Sequence, residues 1–536
     1  MSFVFNDVKN EQMSMFDSML NLTDREIKFL KNSWANYFAE YIFPNIDEEP
    51  FSVLYGESNS RPNTPVNVLV GALFIQQLTG QTDEEIVESL MFDIRYQYAL
   101  HTTSFAEQPL SDRSLGRFRE RLFTYLTKSG VDLMKITEAK LTDKLAYLMN
   151  IDQRLMRMDS MMISANIKKM SRLELIYTTV SNLAKKMESL DIKIPSEQKH
   201  YTEKNDRNKV VYHNRTDDAE SKIETILLDA KILLKMCSDE MQDTSEYLLL
   251  VRVLDEQTIT DDKGEYHLKS GKDGTMDSSI LQNPADPDAT YREKAGKQHV
   301  GYCANFVESS NEYGDTLITD YQFENNTYSD KKFIDEMVEK IDNQPVDSPV
   351  TIVADGAYTA DEIAAAKKNI NIVNTNLTGK DTPDICADFE FNQDGTKVEK
   401  CPGGHQPIDC SFYKTSGSCI ASFNKECCEG CPHFNECKPS KKKNHYQKRI
   451  SLKSKKRAEH IRKRSSEEFS KLTRYRNGVE TIPSILRRRY NVDNIPVHGK
   501  NRMAIFFSAK IMAINFQKLC KYMQGSARRA LNTALA

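Results

Sequence analysis

Pro349-Val-Thr-Ile-Val-Ala-Asp-Gly356 is the stretch on which the fold turns. Its first part is short, uncharged and rich in β-branched residues, the pattern of a strand covered on both faces in a parallel sheet. The run stops at Asp355-Gly356. A carboxylate just past the carboxyl end of a buried strand, beside a glycine that permits close approach, is where open α/β sheets place their sites. Downstream, Thr359-Ala-Asp-Glu362 predicts a capping box at the start of a helix, and residues 369–373 predict one more strand. Upstream, strand patterns occupy 299–308 and 316–323, with a helix over about 329–342.

A second strand carries a second carboxylate. Leu155-Met-Arg-Met-Asp-Ser-Met-Met-Ile163 alternates with a period of two, placing Met156, Met158, Ser160 and Met162 on one face and Arg157, Asp159, Met161 and Ile163 on the other. A carboxylate in mid-strand among methionines is costly to desolvate, so Asp159 is expected to be paired or to bind a cation.

Around this α/β core the chain reads as helical. Residues 1–150 hold capping boxes at Thr23–Glu26 and Thr82–Glu85. A turn at Arg61-Pro-Asn-Thr-Pro65 precedes an apolar helix over 66–78, and Thr79-Gly80-Gln81 separates it from the next helix. This spacing suits a helix-turn-helix and equally a plain helical hairpin. In Ser111-Asp-Arg-Ser-Leu-Gly-Arg-Phe-Arg-Glu-Arg121, Arg113, Arg117 and Arg121 fall at helical spacing as a basic stripe able to lie on DNA. Residues 171–294 are mostly helical, broken by a polar stretch at 200–222 and a turn-rich one at 270–288. Helices over 477–490 and 502–522 close the chain.

Composition narrows the function. The 536 residues are 39% hydrophobic and 28% charged, and no apolar run approaches the roughly 20 residues of a membrane span. The start of the chain lacks a secretory pattern, so a cytoplasmic protein without a membrane partner is expected. The net charge of −4 conceals an asymmetry: residues 438–502 contain 21 Lys and Arg against 5 Asp and Glu, a balance of +16 that leaves −20 for the remainder. Four basic runs within that segment form a footprint for a phosphate backbone. Gly271-Lys272 and Gly379-Lys380 lack the spacing of a nucleotide-binding loop.

Eight of the eleven cysteines lie between Cys386 and Cys437, a clustering that points to metal in a reducing compartment. Cys428-Glu-Gly-Cys431 is a C-x2-C knuckle followed by Cys437, and Cys401-Pro-Gly-Gly404 is a second tight cysteine turn. Four thiolates suit one tetrahedral, structural Zn²⁺. The favoured set is Cys401, Cys428, Cys431 and Cys437, with Cys419, Cys427, His405 and His433 as substitutes.

A third carboxylate completes the acidic constellation. In the helix expected over 477–490, Arg476, Glu480, Ser484 and Arg487 share one face, a carboxylate flanked by guanidinium groups. Asp159, Asp355 and Glu480 together could hold two Mg²⁺ or Mn²⁺ ions for phosphodiester chemistry, with Arg476 and Arg487 on the phosphates. Glu467 and Glu468 are fallback positions for the third acid.

At these residues the chain resembles the DDE transposases of bacterial insertion sequences, the group with an N-terminal InsH-type helical domain and a Cys-rich insert. The likeness runs through 61–122 with its SLGRFRERL, Met158-Asp-Ser-Met-Met-Ile-Ser-Ala-Asn166, Asp286-Pro-Asp288 to Gly301-Tyr302, and Val353-Ala-Asp-Gly-Ala-Tyr358. It continues through the cysteine insert, Arg476-x3-Glu480, Pro496-Val-His-Gly499 and Ala513-Ile-Asn515. The related Tyr-x2-Arg-x3-Glu-x6-Lys signature is met in part: Thr473 stands at the Tyr position, Arg487 replaces the Lys, and Pro483 interrupts.

The resemblance implies an α/β, RNase H-like core with a mixed sheet and assigns Asp159, Asp355 and Glu480 as its metal-binding catalytic triad. The expected organisation is a helical DNA-binding domain at 1–150, core segments at 151–178, 295–376 and 471–536, a helical insertion at 179–294, and a Cys-rich basic insertion at 377–470. The implied activity is metal-dependent cleavage and transfer of DNA strands at terminal inverted repeats. It implies double-stranded DNA as partner and a homodimer or larger synaptic complex. A DNA-binding protein that has lost catalysis and a plain metal-dependent nuclease are the alternatives.

Overall fold

The computed structural model describes residues 2–6, 17–56, 62–111, 113–212, 218–261, 264, 266–269, 277–294, 296–341, 345, 348–358, 365, 368–376, 382–464 and 466–535. The capping box expected at Thr359–Glu362 and the two Gly-Lys pairs lie outside the described residues. The chain forms two compact units: a larger one of Met1–Gln153, Ser160–Ser329 and Thr481–Ala536, and a smaller one of Arg154–Asp159 and Asp330–Glu480. Strand β1, Asp152–Ser164, passes from one to the other between Asp159 and Ser160.

In the larger unit the apolar helix Val66–Thr79 is buried at every position from Val66 to Gln76. It ends at Gly80, whose φ of 74° needs no Cβ. The next helix, Asp83–Phe92, begins with the Thr82–Glu85 capping box, and Thr23–Glu26 caps Asp24–Lys31 in the same way. The closing helix, Lys500–Leu535, drives Met512, Phe516 and Leu519 into the same core. Its segment Lys500–Ser526 is long and apolar enough to cross a membrane, contrary to the expectation from the sequence, but 72% of that apolar window is buried inside the protein.

Asn515 on this helix meets a strand edge: it accepts from Ile318 N at 3.0 Å and donates to Ile318 O at 2.9 Å. The helical insertion has its own core, where Arg172–Ser189, Ala219–Lys235 and Ser245–Gln257 bury Val180, Leu183, Ala230, Leu233 and Leu250. It also contains strands that the sequence reading did not anticipate: the hairpin β2 (Thr258–Thr260) and β3 (Tyr266–Leu268), and β4 (Thr290–Lys294). β5 (Lys297–Ser310) pairs antiparallel with β4 and with β6 (Thr316–Asn325), and it hydrogen-bonds β1. Gly301 makes that last approach feasible, since a Cβ there would strike the backbone of Ile163 and Ala165.

In the smaller unit β7 (Val350–Ala354) lies parallel to β1, with Leu155 opposite Thr351 and Arg157 opposite Val353. β8 (Ile370–Asn374) continues the parallel order beside β7. The helix expected upstream runs Asp330–Lys340.

The cysteine-rich insertion is a small β structure. β9 (Glu390–Phe391) pairs with β10 (Val398–Lys400). A four-stranded sheet runs β11 (Asp409–Tyr413), β12 (Ser418–Asn424), β14 (His445–Ile450), β13 (Ser440–Lys441). Phe389, Val398, Phe423 and Ile450 form its core, which Ala458 of the basic helix Leu452–Lys463 joins.

The single helix expected over 477–490 is broken. Glu467–Asn477 is α-helical, Gly478–Glu480 is a 3₁₀ turn, and Thr481–Arg488 is a new helix with Pro483 in its first turn. Proline has no amide to donate and is tolerated only near a helix start, so the restart lies where Pro483 requires it.

Candidate acidic site and cysteine cavity

β1 delivers Asp159 as its last residue in the smaller unit, and β7 delivers Asp355 just beyond its carboxyl end. The backbone of Asp355 is fixed by its neighbour strand, because Asn374 Nδ2 donates to Asp355 O at 2.7 Å and to Tyr358 O at 2.9 Å. One oxygen of the Asp355 carboxylate accepts from Ala357 N at 2.8 Å, closing a local turn. Asn374 was missed by sequence reasoning; a polar residue closing an apolar strand was its only signal.

Glu480 reaches the same place because its 3₁₀ turn is sewn to β1. Tyr475 Oη donates to Leu155 O at 2.9 Å. The Arg157 guanidinium lies 4.8 Å from the Tyr475 ring and donates to Tyr475 O. It passes directly under Gly478, where any Cβ would land on it.

One cation gathers all three acids. Arg476 Nη2 lies 3.0 Å from Asp159 Oδ1 and 3.9 Å from Asp355 Oδ2, while Nη1 pairs with Glu480. The side-chain exposures rise from 7% for Arg476 through 15% for Asp159 and 35% for Asp355 to 57% for Glu480, so the cluster opens to solvent on the glutamate side. Glu480 does make the i,i+4 bridge that its spacing allows, but the same guanidinium reaches two acids far away in sequence. Glu467 is 85% exposed and pairs with Lys471, so it does not share this guanidinium.

Three formal negative charges around one positive charge, all on hard oxygen donors, have the chemistry that Mg²⁺ or Mn²⁺ requires. Arg487 belongs to the larger unit, where it pairs with Asp493 at 3.1 Å and donates to Met162 O at 2.8 Å. The break at Gly478–Glu480 puts Arg476 and Arg487 on two separate helices, Glu467–Asn477 and Thr481–Arg488.

Cys401, Cys428, Cys431 and Cys437 line one small cavity, with Cys427, His405 and His433 also in its wall. The Cys401 turn closes through Gly404 N to Cys401 O at 2.8 Å. Gly403 lets the two knuckles meet, since a Cβ there would stand 2.9 Å from Cys431 Sγ. Burial, and then the neighbouring thiols, push Cys428 up to about 11, and burial also raises Cys437. Crowded thiols that resist ionisation are the donor set a soft divalent cation stabilises as thiolates. Cys419 is not at this cavity: it is buried beside Cys410, with its thiol 3.2 Å from Thr396 O. Among the described residues no group of three or more His, Cys, Asp or Glu is gathered closely enough, as it stands, to hold a metal ion; that covers both clusters expected from the sequence.

In the larger unit the helix Ser114–Ser129 turns Leu115, Phe118 and Leu122 inward. Arg113 and Arg117 are exposed on its other side, and Arg121 is half-buried with its guanidinium 4.8 Å from the Tyr55 ring.

Residues 400–520 match the family described as Transposase DDE domain, and residues 28–121 match the family described as Transposase domain (DUF772). The first match spans the cysteine knuckles, the basic helix, Arg476 and Glu480; the second spans the buried apolar helix and the Arg113–Arg121 stripe. No curated protein and no solved structure matches the chain.

Proposed function

We propose, from the premise that this chain belongs to the DDE transposases of insertion-sequence type, that it cuts the ends of a mobile DNA element and joins them to a target. The observation that carries this reading is the one guanidinium shared by Asp159, Asp355 and Glu480. An RNase H-like core is supported by the pairing of β1: with β7 and then β8 in the smaller unit, and with β5 and then β6 in the larger.

Asp159, Asp355 and Glu480 would hold two Mg²⁺ or Mn²⁺ ions. Such ions, when bound, supply Lewis acidity toward a phosphodiester and make water or a 3′-hydroxyl a better nucleophile. Arg476 keeps the three carboxylates turned to one point and offers a planar fork suited to phosphate oxygens. Arg157 and Tyr475 hold the turn that presents Glu480. Cys401, Cys428, Cys431 and Cys437 would hold one structural Zn²⁺ that fixes the insertion.

Arg113, Arg117 and Arg121 would rest on the phosphates of the terminal inverted repeats, which sets position, while base-edge contacts choose sequence. Joining two ends to one target calls for a dimer or larger synaptic complex, working on double-stranded DNA in the cytoplasm.

The test is cleavage and joining of a labelled duplex bearing the repeat that flanks this gene, with Mg²⁺ or Mn²⁺, for wild type and Asp355→Asn. The expected result is cutting at the repeat boundary by wild type alone. Tight repeat binding without cutting by either protein would assign the chain to DNA-binding proteins that have lost catalysis. Cutting with no end preference and no joining would assign it to the nucleases.

A further inference from the structure

The smaller unit carries a groove of about 910 Å³ that begins at Gly356, the residue after the second acid. Its floor is the carboxyl end of β8, from Asn371 to Asn374, on the outer strand of the parallel order. Its wall is one face of the helix Leu452–Lys463, presenting Lys453, Lys456, Arg457, His460 and Lys463. Steps of three and four residues place these side chains in one stripe.

The other face of that helix is occupied by the protein itself. Ala458 is buried. Arg462 clamps Asp384 at 2.8 Å and Asp388 at 2.6 Å, and Lys455 pairs with Glu459 and donates to Ala387 O. Arg462 and Lys455 therefore anchor this helix to the insertion, while Lys453 and Lys463 line the groove. Among the described residues Lys453 and Lys463 have no acidic partner, and Glu468 is the acidic member of the lining.

The lining is not purely cationic. Ile372 and Val373 are only half-buried, and Leu472 adds apolar surface. His460 packs edge-on to Phe469 at 5.2 Å and leaves a buried Nε2 without a hydrogen-bond partner. Burial, helped by Arg464, Lys463 and Arg457, lowers its pKa, so the ring stays neutral among cations.

We infer that this groove receives a single strand of DNA leading away from the phosphodiester that is cut, with phosphates on the lysine stripe and bases against Ile372, Val373 and His460. The inference rests on the transposase reading of Asp355. The ten residue steps from Lys453 to Lys463 extend about 15 Å along the helix, room for about four phosphates at the axial spacing of one strand. A duplex offers its outer phosphates to a basic surface and has no use for an apolar floor, whereas an unpaired strand presents base faces as well as charge.

Binding by the full-length protein tests this with two probes: a blunt repeat-end duplex, and the same duplex with a short single-stranded extension past the cleavage boundary. Wild type should bind the extended DNA more tightly and with the steeper salt dependence. In K453Q/K456Q/K463Q the slope of log K against log salt should become shallower by about 2 on the extended DNA and stay unchanged on the blunt one. Asn371→Glu, at an exposed floor position, should weaken extended-DNA binding roughly tenfold through like-charge contact. Equal losses on both probes would make the groove a duplex track, and no loss on either would empty it of DNA; each overturns the inference. Boundary cleavage by wild type, measured alongside, separates the two readings. Its absence sinks the transposase chemistry, while cleavage without any extension effect sinks the groove alone.

Discussion

Two places in the smaller unit crowd like groups together and relieve the crowding differently. At the acidic site a cation of the chain itself, Arg476, stands among Asp159, Asp355 and Glu480. At the cysteine cavity Lys448 is committed to the carbonyl of Cys437, and Cys428 and Cys437 are pushed toward the protonated thiol. The acidic site can keep its shape with no ion bound. At the cysteine cavity burial and the neighbouring thiols hold Cys428 toward the protonated form, and the zinc proposed above would be the charge that offsets repulsion between thiolates there.

The largest expected effect follows from that contrast. Chelating zinc should remove amide-exchange protection from β12 and β14 and leave it in β7, since structural zinc sites contribute on the order of 10 kcal/mol to local folding. Equal loss in β7 would break the comparison. Next, Asp355→Asn should lower strand cleavage about 10³-fold, equivalent to several kcal/mol of metal-assisted stabilisation, with β12 protection unchanged.

Arg476→Ala should then destabilise the metal-free protein by about 2–3 kcal/mol in urea, because it strands carboxylates that shared a buried guanidinium. Added Mg²⁺ should restore part of that loss. A variant as stable as wild type in chelator would remove the guanidinium from the account.

The smallest effect concerns a carboxyl whose burial outweighs the pull of the neighbouring Lys135. Glu138 is buried in the larger unit, accepts from Thr142 Oγ1 at 2.6 Å, and is pushed from 4.5 up to about 8 by burial. A carboxyl whose folded pKa is raised binds its proton more tightly in the folded state. It therefore costs nothing extra below its unfolded pKa, and stability falls as pH rises from there toward the folded one. Glu138→Gln should match wild type in acid and be more stable by about 1–3 kcal/mol near pH 8, read from thermal melts across that range.

The sequence made some of this plain and hid the rest for physical reasons. Val350–Ala354 lies within a residue of expectation because a strand covered on both faces has little room for polar residues, and Ile370–Asn374, an outer strand that keeps two asparagines, lies equally close through its alternating Ile370 and Ile372. The strands β2, β3 and β4 were not visible, since they are short and polar and exist through their partners. The cysteine knuckles that come to line one cavity were legible as tight turns, but nothing local said that the strands β11–β14 would form in the same insertion. The two aspartates could be found as strand-borne acids. The clustering around Arg476 could not, because a contact between residues 159 and 476 leaves no periodic trace in the sequence.

Gly478 has a consequence for how such a chain ages. The Arg157 guanidinium occupies the volume that any side chain at 478 would need, and it supports the turn bearing Glu480. A missense change at that codon would leave every acid, every cysteine and both basic stripes intact while pressing a side chain onto Arg157 beneath the turn that bears Glu480. Among diverging copies of such a gene, the silent casualties would then be those with an altered residue 478, indistinguishable from working copies by any inspection confined to the acids.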